Sequence, residues 1–383
     1  MHTIPIQRTI TFQKKIQENK LDAVLLTDPD SIYYLSGFSG YLGMDFGRPT
    51  MMWVPAYGDC TIITPLMESE MCRHITWVQD IYTWSDGVDS EWKSAIRQLI
   101  KSDKTRLGIE EYRIPLIVLQ YVNKEFPETI ITDASQLLAG MRVIKDPEEI
   151  DILRKAGKVA VSMVKAAKQV IREGISEYEV ALACIDAGTR EGAGLLEGTP
   201  LQNFFSPTIY NLQILQSGHD TSMVHRRSSI KKIQHGDPVY LCFCGLANFK
   251  HYKLGFDREF FVGSVTDEAA RMYEIALKAQ IAALDAIGPG AVAEEVHSAA
   301  NAVYQDAGFS PGYRTGRSVG CSFCETPELK KGDKTVLQPG MTFAVDGGIT
   351  VPNQYGARVG DSVLVTEEGF EYLTPYPKKL CVL

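Results

Sequence analysis

Long apolar runs are missing from this 383-residue chain: no stretch approaches the roughly 18 apolar residues that a membrane helix requires, so no membrane partner is expected. Positive charge is also short. The chain has 39 Lys and Arg against 47 Asp and Glu, a net charge of −8, and its basic residues cluster only briefly, as at Arg226-Arg227 and Lys231-Lys232. Phosphate binding needs a concentrated basic face, so nucleic acid is not an expected partner. Cysteine is sparse: eight residues, at 60, 72, 184, 242, 244, 321, 324 and 381, are too few to staple a chain of this length. Reduced thiols fit better. The opening MHTIPIQRTITFQKK has no long apolar core and no small-residue cleavage site, so no secretory signal is expected and a cytoplasmic location is the default. Internal repeats and low-complexity segments are missing too. What is there, 45% hydrophobic and 22% charged residues, is the composition of an ordinary globular protein of two or three domains.

The first third alternates short apolar runs with helical periodicity. Leu21 to Thr27, Thr50 to Pro55, Cys60 to Pro65 and Arg106 to Glu111 read as strands, and "EWKSAIRQLIKS" as a helix, which predicts an α/β domain over residues 1–140. A helix start follows in "KDPEEIDILRKAG": Asp146 caps, Pro147 suits the first turn and Glu149 completes a capping box. Ile150, Leu153, Ala160, Val164, Ala167 and Ile171 form one apolar stripe, Gly157 on it leaves room for close packing, and Gly174 is expected to close the helix. A second capping box pairs Ser176 with Glu179. Beyond Pro200, "GDPVYLCFCG", "FDREFFVG", "GMTFAVDGG" and "DSVLVTEEG" read as strands, and helices begin at Thr266 and near Ala293. Helices and strands without strict alternation predict an α+β domain over residues 141–383.

The stretch "LCFCGLANFKHYKLGFDREFF", Leu241 to Phe261, reads as two strands joined by a long basic loop. Its "CFC" sets Cys242 and Cys244 on one face of a strand, and "CSFC" at Cys321 and Cys324 has the two-residue gap common in zinc sites. The same alternation suits small core residues interleaved with Phe243 and Phe323, so packing and metal binding both stay open. Asp257 next to Arg258 reads equally as a salt-bridged strand pair. Cys60, Cys72, Cys184 and Cys381 read as packing residues.

These segments, in this order, resemble the family that includes prolidase, aminopeptidase P and creatinase. The linker "LLAGMRVIKDPEEIDILRKAG" and the closing "GARVGDSVLVTEEGFEYLT" carry the likeness most specifically. It implies a creatinase N-terminal-like α/β domain followed by a pita-bread catalytic domain. The peptidase members hold two divalent metals with two Asp, one His and two Glu. By the resemblance, the first Asp falls near Cys242, the second is Asp257, the His falls on Arg317 in "TGRSVG", the first Glu on Asp346 in "AVDGG" and the last on Gly360 in "ARVGD". Arginine has no lone pair to donate and opposes a metal, so no metal and no other cofactor is expected.

Creatinase works without metal, and the site pattern is most similar to that branch. "QSGHDTSMVHRRSSIKKIQHGD" resembles its segment bearing the catalytic histidine, which implies His225 as proton shuttle. "DFGRPTMMWV" resembles the segment that creatinase presents across a subunit interface, which implies Phe46 and Arg48 as substrate-binding residues and a homodimer. Asp257 and Asp346 correspond to the carboxylates that grip the basic end of the substrate. Arg317 and Arg358 are expected to stand beside both aspartates, bind substrate and keep the two carboxylates ionised. The expected substrate is a small zwitterion, cleaved at a C–N bond by a metal-independent hydrolase. Two other readings stand beside it: an Xaa-Pro dipeptidase or aminopeptidase-like metallopeptidase with a degenerate metal site, and a non-catalytic small-ligand-binding member of the family.

Overall fold

The computed structural model describes residues 3–40, 49–85, 92–102, 104–210, 214–245, 247–310 and 312–383. The chain divides into two compact units, Met1–Met141 and Arg142–Leu383.

In the first unit, α1 (Thr3–Glu18) leads into β1 (Ala23–Leu26), α2 (Pro29–Ser36), β2 (Met51–Pro55), β3 (Thr61–Pro65) and α3 (Ser69–Ile75). There follow β4 (Asp80–Trp84), α4 (Trp92–Leu99), β5 (Arg106–Ile109), α5 (Leu116–Glu125), β6 (Ile130–Asp133) and α6 (Ser135–Arg142). The strands form one six-stranded sheet in the order β4-β3-β2-β1-β5-β6. β1 runs parallel to β5 and β5 to β6, whereas β2 is antiparallel to both of its neighbours. β1 to β3 are almost wholly buried, which suits strands covered on both faces. β4 and β6 escape a reading by apolar runs because most of their residues are half-buried or exposed.

The second unit opens with α7 (Pro147–Val170) and α8 (Glu177–Leu196). Asp146 accepts from the backbone N–H of Glu148 and Glu149, and the Glu149 carboxylate accepts from the Asp146 N–H, so the capping box is complete. A Cβ on Gly157 would lie 1.8 Å from the Leu373 carbonyl oxygen, so a bare backbone is required for this approach. α7 ends at Val170, four residues before Gly174; Gly174 instead turns the chain with φ 81°. Burial of Ile152, Ala156, Val159 and Met163 shows that the apolar stripe is wider than one line of residues, because α7 packs both on α8 and on strands.

Then come β7 (Ile214–Ser217), β8 (Pro238–Cys242), β9 (Asn248–Phe249), β10 (Tyr252–Lys253) and β11 (Asp257–Phe261). β9 and β10 pair as a short hairpin inside what reads by sequence as a basic loop. α9 (Asp267–Asp285) and α10 (Ala293–Asp306) precede β12 (Gly316–Ser318), β13 (Glu325–Leu329), β14 (Thr342–Val345), β15 (Gly348–Val351), β16 (Tyr355–Arg358), β17 (Asp361–Thr366) and β18 (Gly369–Tyr372). Two helix-on-sheet layers result. One packs α7 and α8 on the sheet β11-β8-β7, and the other packs α9 and α10 against β14 to β17 of the sheet β13-β12-β14-β17-β18 and the hairpin β15-β16. The halves are stitched where Asp257 and Gly360 exchange backbone hydrogen bonds of 3.1 and 3.3 Å.

Candidate functional site

Strand register builds the floor of the site. In the three-stranded sheet, Asp257 pairs with Cys242 and Cys242 with Ile214, so these three share one face. Two residues along, Glu259 and Tyr240 continue that face, because side chains alternate with a period of two. Arg258 therefore points the opposite way. Its guanidinium donates to Asp361 at 2.6 Å and to the carbonyls of Asp257, Gly360 and Tyr376. The reading of Asp257–Arg258 as an ion pair is thus corrected: neighbours on a strand face opposite ways, and the Asp257 carboxylate is left to the site.

Asp346 leaves the end of β14 and meets Asp257 from the other half of the unit. Arg317, on β12, donates to Asp346 Oδ2 at 2.5 Å and stacks on Phe323 with its Cζ 4.3 Å from the ring centroid. Cys244 Sγ lies 3.4 Å from Asp257 Oδ1 and 4.0 Å from Asp346 Oδ2, so it links the two carboxylates. A side chain at Gly360 would begin 2.8 Å from Asp257 Oδ2 and 3.0 Å from Asp346 Cβ. Burial, then the charge of Asp346, raises the Asp257 carboxyl to about 6. Hydrogen bonding with Cys244, then burial, pushes the Cys242 thiol up.

A cavity of about 570 Å³ opens over this floor, a volume suited to a small organic molecule. All five expected site residues of this unit, His225, Asp257, Asp346, Arg317 and Arg358, line it. Phe46 and Arg48 lie outside the described residues. His225 is exposed, in a loop held from behind: Arg226 donates to the fully buried Glu177 at 2.8 Å and pairs with Asp220 at 3.2 Å. Arg358 is 7% exposed, and its guanidinium donates to the Thr221 carbonyl at 3.1 Å and to Thr350 Oγ1 at 2.6 Å.

Two expectations need correction here. Arg317 and Arg358 do not bracket both aspartates: Arg317 is spent on Asp346, Arg358 on neutral oxygens. Asp257, far from being held firmly ionised, rises toward neutral pH because desolvation outweighs the opposing pull of Arg317. The cysteine pairs also separate. Cys242 and Cys244 join Asp257 in the cavity, whereas Cys321 and Cys324 lie outside that group, with Cys324 exposed. Cys60, Cys72 and Cys184 are buried, and desolvation lifts each thiol to about 12.

Sequence reasoning passed over Glu259, Tyr240 and Thr350. Glu259 accepts from the Tyr355 hydroxyl at 2.5 Å and from the Arg358 N–H at 3.2 Å, and burial raises its carboxyl to about 8. Its place two residues after Asp257 on a strand was the available signal.

The family follows from fold and sequence together. Residues 151–367 match the model of metallopeptidase family M24, and residues 8–144 match the creatinase/prolidase N-terminal domain. The chain belongs to this pita-bread family of hydrolases. It is 30% identical to an Xaa-Pro dipeptidase of Pyrococcus furiosus over 96% of this chain and 97% of that one. It is 29% identical to an agropine synthesis cyclase of Rhizobium rhizogenes over 95% and 94%. Among solved structures, a recombinant prolidase from Thermococcus sibiricus superimposes with a TM-score of 0.85 at 25% identity, covering 98% of each chain. Most of the similar proteins are named as peptidases, which supports the dipeptidase alternative better than the creatinase-like one.

The family name implies divalent metal, and the donors can be tested against it. A dinuclear centre of hard cations needs several carboxylate oxygens. Here a guanidinium occupies Asp346 Oδ2, Gly360 offers no side-chain donor, and the groups gathered beside Asp257 are the thiols of Cys242 and Cys244. The residues present do not fit such a pair of ions.

Proposed function

We propose that this chain is a hydrolase that cleaves a C–N bond in a small compound bearing a carboxylate and a basic nitrogen, without a dinuclear metal centre. One observation carries the reading: the Arg317–Asp346 contact of 2.5 Å sits where bridging cations would need a bare carboxylate. Asp257 and Asp346 face the substrate's nitrogen end, where a charge-assisted hydrogen bond strengthens as positive charge develops. Arg358, buried and held by neutral oxygens, offers a fixed charge to the substrate carboxylate. His225, exposed at the cavity, takes a proton from attacking water and returns it to the leaving nitrogen. A dimer in which Phe46 and Arg48 reach a neighbouring site belongs to this proposal, as does its creatinase-like character. The Rhizobium relative, whose name describes a cyclase, supports chemistry other than peptide cleavage in proteins of this kind.

The second reading, Xaa-Pro dipeptide hydrolysis, is favoured by the names of the relatives. A thermal-shift and turnover screen decides between them, using guanidino acids, cyclic amidines and proline dipeptides, each with chelator and with added manganese or cobalt. The proposal expects stabilisation and turnover with a non-peptide zwitterion under chelator. Activity on dipeptides alone, and only with added metal, would overturn it.

A further inference from the structure

Among the described residues, one group of three or more metal-capable side chains brings its donor atoms within 4.8 Å of one another: Cys242, Cys244 and Asp257, all buried. The geometry points to a binding site for one thiophilic divalent ion, zinc in particular, formed by two thiolates and one carboxylate. It is distinct in donors and number from the pair of hard cations that the family name suggests.

Four observations carry this. The Cys244 Sγ to Asp257 Oδ1 separation is 3.4 Å, and the register sets Cys242 directly opposite Asp257. Zinc–sulfur bonds of about 2.3 Å and zinc–oxygen bonds of about 2.0 to 2.2 Å at a tetrahedral angle put sulfur and oxygen roughly 3.5 Å apart. All three residues line the cavity, so a fourth position opens to water, the arrangement of three protein ligands and one open site. Two of the three donors are thiolates, which select zinc, cadmium or cobalt over magnesium or manganese. Finally, a dication with three anionic ligands leaves one negative charge, and the Arg317 guanidinium stands close by on Asp346 Oδ2, itself 4.0 Å from Cys244 Sγ. Binding releases both thiol protons to solvent; the sulfurs and the carboxylate form the bonds, and no redox change occurs. An ion there engages Asp257. If the hydrolytic reading holds, zinc therefore competes with substrate rather than assisting it.

The test uses the full chain stripped with chelator and titrated with cobalt(II), followed by absorbance, with metal content measured after zinc loading and desalting. Thiolate-to-cobalt charge-transfer bands saturating at one equivalent per chain are expected. Cys244→Ser and Cys242→Ser should each remove those bands, while the double variant Cys321→Ser/Cys324→Ser keeps them. Asp257→Asn should keep the sulfur bands but weaken binding at least tenfold, which serves if a serine variant does not fold. The inference is overturned by wild-type protein without thiolate bands, or by bands that vanish with Cys321 and Cys324 and survive loss of Cys244. These readouts contain no substrate, so failure here and failure of the hydrolytic reading are separate events.

Discussion

Replacing Arg317 with methionine tests the physical centre of the site. The substitution keeps most of the side chain's volume against Phe323 and deletes the charge that Asp346 receives at 2.5 Å. Two unit charges about 4 Å apart attract by about 4 kcal/mol at an effective dielectric of about 20. Removing one member of a buried pair costs about 3 to 5 kcal/mol, since the other charge stays desolvated. The Arg317 side chain is 4% exposed and that of Asp346 18%, so water relieves part of the penalty, and a loss of about 3 kcal/mol is expected. Urea unfolding at neutral pH measures it, with the slope unchanged and the midpoint lowered. Asp346→Asn and the double variant complete a cycle in which the pair should couple by at least about 1.5 kcal/mol. The carboxyl of Asp257, already near 6, should rise further, because Arg317 is one of the charges holding it down. A loss below about 1 kcal/mol, the range of exposed pairs, or strict additivity in the cycle, refutes the argument.

His225→Ala should leave stability within about 0.5 kcal/mol, since the side chain is exposed, yet cut turnover of the compound found by screening by a factor of about a hundred to ten thousand. Unchanged kcat removes His225 from the chemistry. Gly157→Ala improves local helix propensity by about 1 kcal/mol but drives a methyl to within 1.8 Å of the Leu373 carbonyl, so the melting temperature should fall; a rise would show that α7 can move away. Glu259 gives a pH signature. Its carboxyl is raised to about 8 in the folded chain from an ordinary 4.5, so across that window the native state holds the proton more tightly and stability falls as pH rises. Glu259→Gln should abolish that contribution, worth on the order of 3 kcal/mol between pH 5 and 8, in paired urea titrations. Parallel pH curves for the two proteins would remove burial of an ionisable Glu259 as the cause.

Local chemistry was legible in the residues themselves. The capping boxes at Asp146 and Ser176, the bare backbone at Gly157 and the strands holding Cys242, Asp257 and Val345 each depend on neighbours within a few positions, and those neighbours can be read off the chain. β12, β15 and β16 were not, because each is only three or four residues long and takes its shape from pairing partners elsewhere. Charge partnership was illegible for the same reason. Asp257 and Arg258 are adjacent in sequence, yet the pleat turns them apart, and Arg258 finds Asp361 instead.

The order of residues by itself determined the helix starts, the apolar faces of the main strands, and the presence of Asp257, Asp346 and Arg317 in segments that resemble the family. Only the tertiary structure decided that Arg317 closes on Asp346, that Cys244 comes to lie between two carboxylates, and that both aspartates approach Gly360 too closely for a side chain there. Those contacts join residues from 13 to about 100 positions apart across two helix-backed sheets. Backbone propensity acts over a few residues, whereas the meeting of such distant side chains is set by strand register and by which surfaces bury each other.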